Sequence, residues 1–194
     1  RNPFGELTQD ERAELAVVEI GYLIEMLGDS RQAVQFIGQC GRGKTTRMLK
    51  LRSNLPTSSY TYIPEQPPCP AIASGNPILV DEAQRLSRSA LQSVLRSRCP
   101  LVFATHKDLS RSLRKHGYRV HTEHIGKGNS PELICELLNR RIEASRLHSG
   151  DIPVLSMEDA ESLVAEFGND IRGIENSLYL RFQKSLEGGG DGEM

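Results

Sequence analysis

Cysteine is scarce and scattered. Cys40, Cys69, Cys99 and Cys135 stand far apart, and no two form a C-x-x-C pair. Metal-ligand spacing is therefore missing, and a secreted disulfide framework would be denser; reduced thiols in a cytoplasmic protein are expected. No apolar run approaches the roughly 18 to 20 residues that span a bilayer, so membrane insertion is not expected. The opening Arg1-Asn2-Pro3-Phe4 shows no basic-then-apolar leader pattern. Neither sign of charge dominates: 24 Lys and Arg face 25 Asp and Glu, a net charge of −1. Nucleic acid or a membrane surface would have to be met by a local patch. Low complexity is confined to the Gly-rich residues 188–194, expected to be a disordered tail. With 38% hydrophobic residues, the 194-residue chain can bury a substantial core.

Periodicity predicts strands alternating with helices. Thr8 and Glu11 have capping-box spacing. Ala13, Val17, Ile20, Ile24 and Leu27 follow as one apolar face, predicting a single helix that ends near Gly28. Strands are expected at 33–37, 59–63, 77–80, 101–104 and 119–125, with helices at 44–51, across 90–95 and near 108–115. Pro64, Pro67, Pro68 and Pro70 break the segment after the second strand into loop. Parallel strands need crossover helices, so this alternation implies a parallel α/β sheet. Beyond residue 127 the pattern turns all-helical. Ser130-Pro131 opens one helix, a second begins near Ser156 and stops at Gly168-Asn169, and a third runs from about Asp170 to Leu186. The expected division is an α/β body over 1–127, a helical appendage over 128–187, and the tail.

The most specific motif is Gly38-Gln39-Cys40-Gly41-Arg42-Gly43-Lys44-Thr45, which fits G-x-x-x-x-G-K-[ST]. Its glycines let the backbone curl so that N–H groups point at phosphate oxygens. The helix that follows, from Lys44 through Thr45 and Thr46, offers its positive end to the same anion. Lys44 can reach the β- and γ-phosphates of a nucleotide, and the Thr45 hydroxyl can ligate Mg²⁺. Cys40 reads as a small residue tolerated in the loop rather than a redox switch.

About 40 residues on, the apolar run Ile78-Leu79-Val80 ends in Asp81-Glu82. An acid at a strand end can hold Mg²⁺ through its water shell, and a second acid beside it can orient and deprotonate an attacking water. Asp81 takes the first role and Glu82 the second, which favours hydrolysis over binding alone. Leu101-Val102-Phe103-Ala104 likewise ends in Thr105. Strand C-termini of a parallel sheet converge on the ligand crevice, so Thr105 can meet the water or the γ-phosphate. His106 reads as a loop residue.

Together these residues resemble the AAA+ ATPase family: phosphate loop at 38–45, acidic strand end at 78–82, a polar "sensor 1" strand end at Thr105, and a helical lid. The lid run Gly168-Asn169-Asp170-Ile171-Arg172 resembles the "sensor 2" opening, which assigns Arg172 to the γ-phosphate. The Asp-Glu-Ala-Gln wording is similar to that of transposition-helper, secretion-type and replication-initiator ATPases. The resemblance implies ATP and Mg²⁺ as ligands, and residues 2–5 near the adenine. It implies assembly into rings or filaments, in which an arginine finger completes a neighbour's site. Arg111, Arg114 and Arg119 are candidates by position, Arg114 foremost. The basic cluster around them, with Lys107 and Lys115, suits a subunit interface, plain solvated surface or DNA phosphates.

The function expected is an ATPase that drives assembly or remodelling of a macromolecular partner. The alternative is a nucleotide-dependent switch or scaffold that scarcely hydrolyses. Glu82 and Arg172 argue against a small-molecule kinase, and the length leaves no room for the second motor domain of a helicase.

Overall fold

The computed structural model describes residues 2–126 and 129–188. Tail residues 189–194, and Lys127 and Gly128 at the expected division, lie outside them. A five-stranded parallel sheet is built from β1 (Gln32–Ile37), β2 (Ser59–Tyr62), β3 (Ile78–Asp81), β4 (Leu101–Thr105) and β5 (Arg119–His124), in the order β2-β3-β4-β1-β5. The helices are α1 (Gln9–Glu14), α2 (Gly21–Met26), α3 (Lys44–Asn54), α4 (Arg88–Arg96), α5 (Ser110–Lys115), α6 (Pro131–Ala144), α7 (Met157–Phe167) and α8 (Ile171–Gly188).

Strands β3 and β4 are buried along their whole length, and β1 at every residue but its last. In β3 and β4 that burial follows from the apolar runs Ile78–Val80 and Leu101–Ala104, because a parallel sheet covered on both faces shows no alternation with solvent. Strand pleating sends alternate side chains to two cores. Val34, Phe36, Leu79 and Val102 pack with Leu23 of α2, Leu27 just after it, and Met48 and Leu51 of α3. Ala33, Val80, Leu101 and Phe103 pack with Val94 and Leu95 of α4 and Leu113 of α5. The register sets Ile37 beside Thr105, and Val80 beside Phe103. The C-terminal ends of β1, β3 and β4 therefore share one edge of the sheet.

A third core joins Ile134 and Leu138 of α6, Ala160 and Leu163 of α7, and Ile174 of α8. Ser130 caps α6 with Pro131 in its first turn, and Ser156 with Asp159 forms a capping box on α7. Phe4 packs against this helical core. The buried Arg141 of α6 pairs with Glu175 and donates to the carbonyls of Pro3 at 3.0 Å and Gly5 at 2.5 Å. The N-terminal strap is thus bolted to the C-terminal helices.

One expected helix is two. The Thr8–Glu11 capping box forms as predicted, but α1 stops at Glu14 and the chain turns helical again only at Gly21. Val17, Val18 and Ile20 are β-branched and stiff at χ1, and Gly21 follows them. This stretch instead runs irregularly between sheet and lid.

Gln35 is fully buried in β1, with every polar atom of its amide engaged. Its two amide N–H groups are shared among Asp108 at 2.8 Å, Ser110 at 2.6 Å and Thr122 at 2.8 Å, and its carbonyl oxygen accepts from the Leu109 N–H at 3.0 Å. The Ser110 hydroxyl and N–H, with the Gln35 amide, hold the Asp108 carboxyl down to about 2. Gln35 thereby fixes the start of α5 against the middle of the sheet. Replacing Gln35 with Leu strands the Leu109 N–H and should lower stability by about 1–3 kcal/mol in chemical denaturation.

Candidate functional site

The phosphate loop leaves β1 at Gly38, whose N–H donates to the Thr105 carbonyl at 3.2 Å. Gly41 and Gly43 have φ of +76° and +92°, a region that side chains disfavour. Gly43 is the N-cap of α3. At Gly41 the constraint is double, because an added Cβ would run into the Asp170 carboxylate at the start of the lid helix α8. The lid is thus seated directly on the loop.

Lys44 is 4% exposed, and its ammonium donates to the carbonyls of Gly38 and Gln39, each at 2.7 Å. It lies curled inside its own loop. Burial pushes its pKa down, opposed by the nearby charges of Glu82 and Asp81, while Arg172 pushes the same way as burial. Such a buried cation suits an incoming polyanion. The fit continues along the cavity, where Arg12, Arg42, Arg47, Arg85, Arg141 and Arg172 join Lys44, against Glu82 and Glu175.

Thr45 donates to Asp81 Oδ2 at 2.8 Å, and Tyr60 donates to the same oxygen at 3.0 Å. Burial, reinforced by Asp81, holds the Tyr60 phenol well above its usual range, so it stays a donor. A hydroxyl beside a carboxylate is the hard oxygen set that Mg²⁺ takes with substrate phosphates and water. No cluster of three or more His, Cys, Asp or Glu suited to a metal occurs among the described residues. Asp81 is fully buried behind Thr45.

Glu82 follows with φ +58°, a strained backbone for a non-glycine residue, and is one of the residues lining the cavity. Its Oε2 accepts from Gln84 at 2.6 Å and lies 3.4 Å from both Arg85 and His106. His106 also approaches Cys40 Sγ at 3.7 Å. The residue read as a plain loop histidine therefore touches both the phosphate loop and the acid.

Not every expected residue faces the cavity. Cys40, Gly41, Arg42, Gly43, Lys44, Thr45, Thr46, Glu82 and Arg172 line it together. Gly38 and Gln39 instead serve through their carbonyls. Thr105 is buried, and its hydroxyl donates to the Lys107 carbonyl at 2.9 Å and accepts from the Lys107 N–H at 3.0 Å. It shapes its own loop and is not part of the lining. Arg111, Arg114 and Arg119 are exposed, away from the cavity. Residues 2–5 do not line the cavity; Leu7, Arg12 and the irregular Leu15-Ala16-Val17-Val18 do, facing Leu133, Leu137 and Ile171 of the lid. The helical period of the sequence hides these apolar walls, because residues 15–18 fit it; the β-branched pair Val17-Val18 is the signal against a helix there.

No protein-family profile and no curated protein sequence matches the chain. Solved structures do. The Thermotoga maritima RuvB Holliday junction branch migration motor matches with a TM-score of 0.59 at 19% identity, over 94% of this chain and 63% of that one. A DNA replication initiation factor matches with a TM-score of 0.58 at 14% identity, over 95% of this chain and 68% of that one. The chain thus spans about two thirds of the length of these structures.

Gly41→Ala should destabilise the chain by about 1–2 kcal/mol in chemical denaturation, since a methyl there meets both a disfavoured φ and the lid carboxylate. Unchanged stability would show that lid and loop part freely. The sheet order, the C-terminal helical region and the likeness to both solved structures give this chain the AAA+ fold that its motifs led us to expect.

Proposed function

We propose that the chain is an ATPase module that binds ATP with Mg²⁺ and hydrolyses its γ-phosphate to drive assembly or remodelling of a macromolecular partner. The observation that carries this reading is the convergence of Lys44, Thr45, Glu82 and Arg172 on one cavity between sheet and lid, with Asp81 buried behind Thr45 and hydrogen-bonded to it. In this reading the loop N–H groups and Lys44 grip the phosphates, and Arg172 reaches the γ-phosphate from the lid. Thr45 and Asp81 would hold Mg²⁺, which neutralises developing charge when bound. Glu82 orients the attacking water and accepts its proton. The body over 1–127 and the lid over 128–187 act as the two walls of the site.

Assembly belongs to the same proposal. The cavity holds no residue from α5, whose exposed Arg114 is the first candidate to reach a neighbouring subunit's γ-phosphate, with Arg111 and Arg119 behind it. A homo-oligomeric ring or filament follows. Both structural neighbours are named for work on DNA, which supports a DNA-associated partner. A second reading, a nucleotide switch with little turnover, draws on one observation: the Thr105 hydroxyl is engaged by Lys107 rather than offered to the cavity.

Steady-state ATP hydrolysis measured against protein concentration separates the two. Specific activity should rise as subunits meet, vanish in Lys44→Ala, and fall by about 10²–10⁴-fold in Glu82→Gln. Protein that binds ATP and assembles yet never turns it over establishes the switch.

A further inference from the structure

Glu82 is held by a residue that never reaches the cavity. Gln84 Nε2 donates to Glu82 Oε2 at 2.6 Å, and Gln84 Oε1 accepts from the His106 N–H at 3.2 Å. Only one orientation of an amide satisfies a carboxylate at one end and an N–H at the other. Gln84 thus spans from the acid after β3 to the first residue after Thr105 of β4. Arg85 adds a second tether, lying 3.4 Å from the same carboxylate oxygen and donating to the Ile63 carbonyl at 3.1 Å beyond β2. The contacts that Gln84, Arg85 and His106 make with the Glu82 carboxylate all fall on Oε2, and Glu82 is one of the residues lining the cavity. Gln84 and His106 do not line it.

We propose that Gln84 is a positioning residue for hydrolysis: its amide fixes the Glu82 carboxylate through one oxygen and ties it to the segment that follows Thr105. The inference rests on the hydrolytic reading above. The physical need is specific. Glu82 sits in a left-handed backbone conformation at the end of a strand, so the turn alone leaves its side-chain torsions open. An acid that must meet one water within hydrogen-bond reach loses rate steeply when it wanders by about 1 Å. A short hydrogen bond from a neutral amide supplies the aim without placing another charge in the cavity. The other end of the amide makes that aim depend on where the loop after β4 lies.

The test compares single-turnover hydrolysis of ATP-Mg by wild type, Gln84→Met, Gln84→Glu, Glu82→Gln and the double variant Glu82→Gln/Gln84→Met. Methionine keeps the length and removes both hydrogen bonds, and glutamate keeps the shape but removes the donor to Glu82. Each should lower kcat by about 10- to 100-fold with KM and nucleotide affinity unchanged. The double variant should match Glu82→Gln alone, because Gln84 acts only through that carboxylate. Three results overturn the proposal: Gln84 variants with full kcat, a loss carried by KM, or a double variant slower than Glu82→Gln by the full single-variant factor. A wild-type chain that binds ATP-Mg and never hydrolyses it removes the hydrolytic reading itself, and the role of Gln84 falls with it.

Discussion

Parallel pairing is the constraint from which the rest follows. Because β1, β3 and β4 run the same way, the loop after Ile37, the acids after Val80 and the segment after Ala104 must emerge at one edge. Residues from three distant stretches then meet without any long-range search by flexible loops. The chain passes from β1 through α3 toward one side of the sheet, and from β4 through α5 toward the other, reaching β5 beyond β1. That reversal opens the crevice where ligands of such sheets bind. The hydrogen bond from Thr45 to Asp81 is the direct consequence: a helix start and a neighbouring strand end share one polar contact at 2.8 Å.

The site is assembled around a buried ammonium whose hydrogen bonds go to carbonyls rather than to a carboxylate. Lys44 is buried with only loop carbonyls as hydrogen-bond partners, and its pKa is pushed down accordingly. Burying an ammonium is costly unless something returns the lost hydration, and a triphosphate would do so. Lid and core are not independent in this respect. The lid carboxylate of Asp170 presses on Gly41, while Arg141 and Glu175 fasten the N-terminal strap to the same lid. From the strap the chain runs on to Val17 and Val18 in the cavity wall, so the lid, the wall and the loop form one mechanical unit.

Local chemistry made much of this legible in the amino-acid sequence. The phosphate loop, the acids after Val80 and the caps at Thr8, Ser130 and Ser156 each depend on residues close in the chain, and each stands where expected. What escaped depends on tertiary context. The periodic apolar face of 13–27 suits a helix, yet sheet and lid both need apolar cover at 15–18, and β-branched residues serve that extended wall better. Thr105 sits at the predicted strand end, but the sequence could not show which way its hydroxyl turns. His106, Gln84 and Tyr60 gain meaning only when β2, β3 and β4 are neighbours, since their partners lie in other segments or across a turn.

In the proposed function this loop grips a nucleoside triphosphate together with its metal. Titration calorimetry of the folded chain with ATP, with and without Mg²⁺, reads that grip without any intervening chemistry. Saturable heat is expected at one ATP per chain, strengthened by Mg²⁺ and lost when Lys44 is replaced by alanine. Absence of heat from ATP in the presence of Mg²⁺, with the chain demonstrably folded, would contradict it.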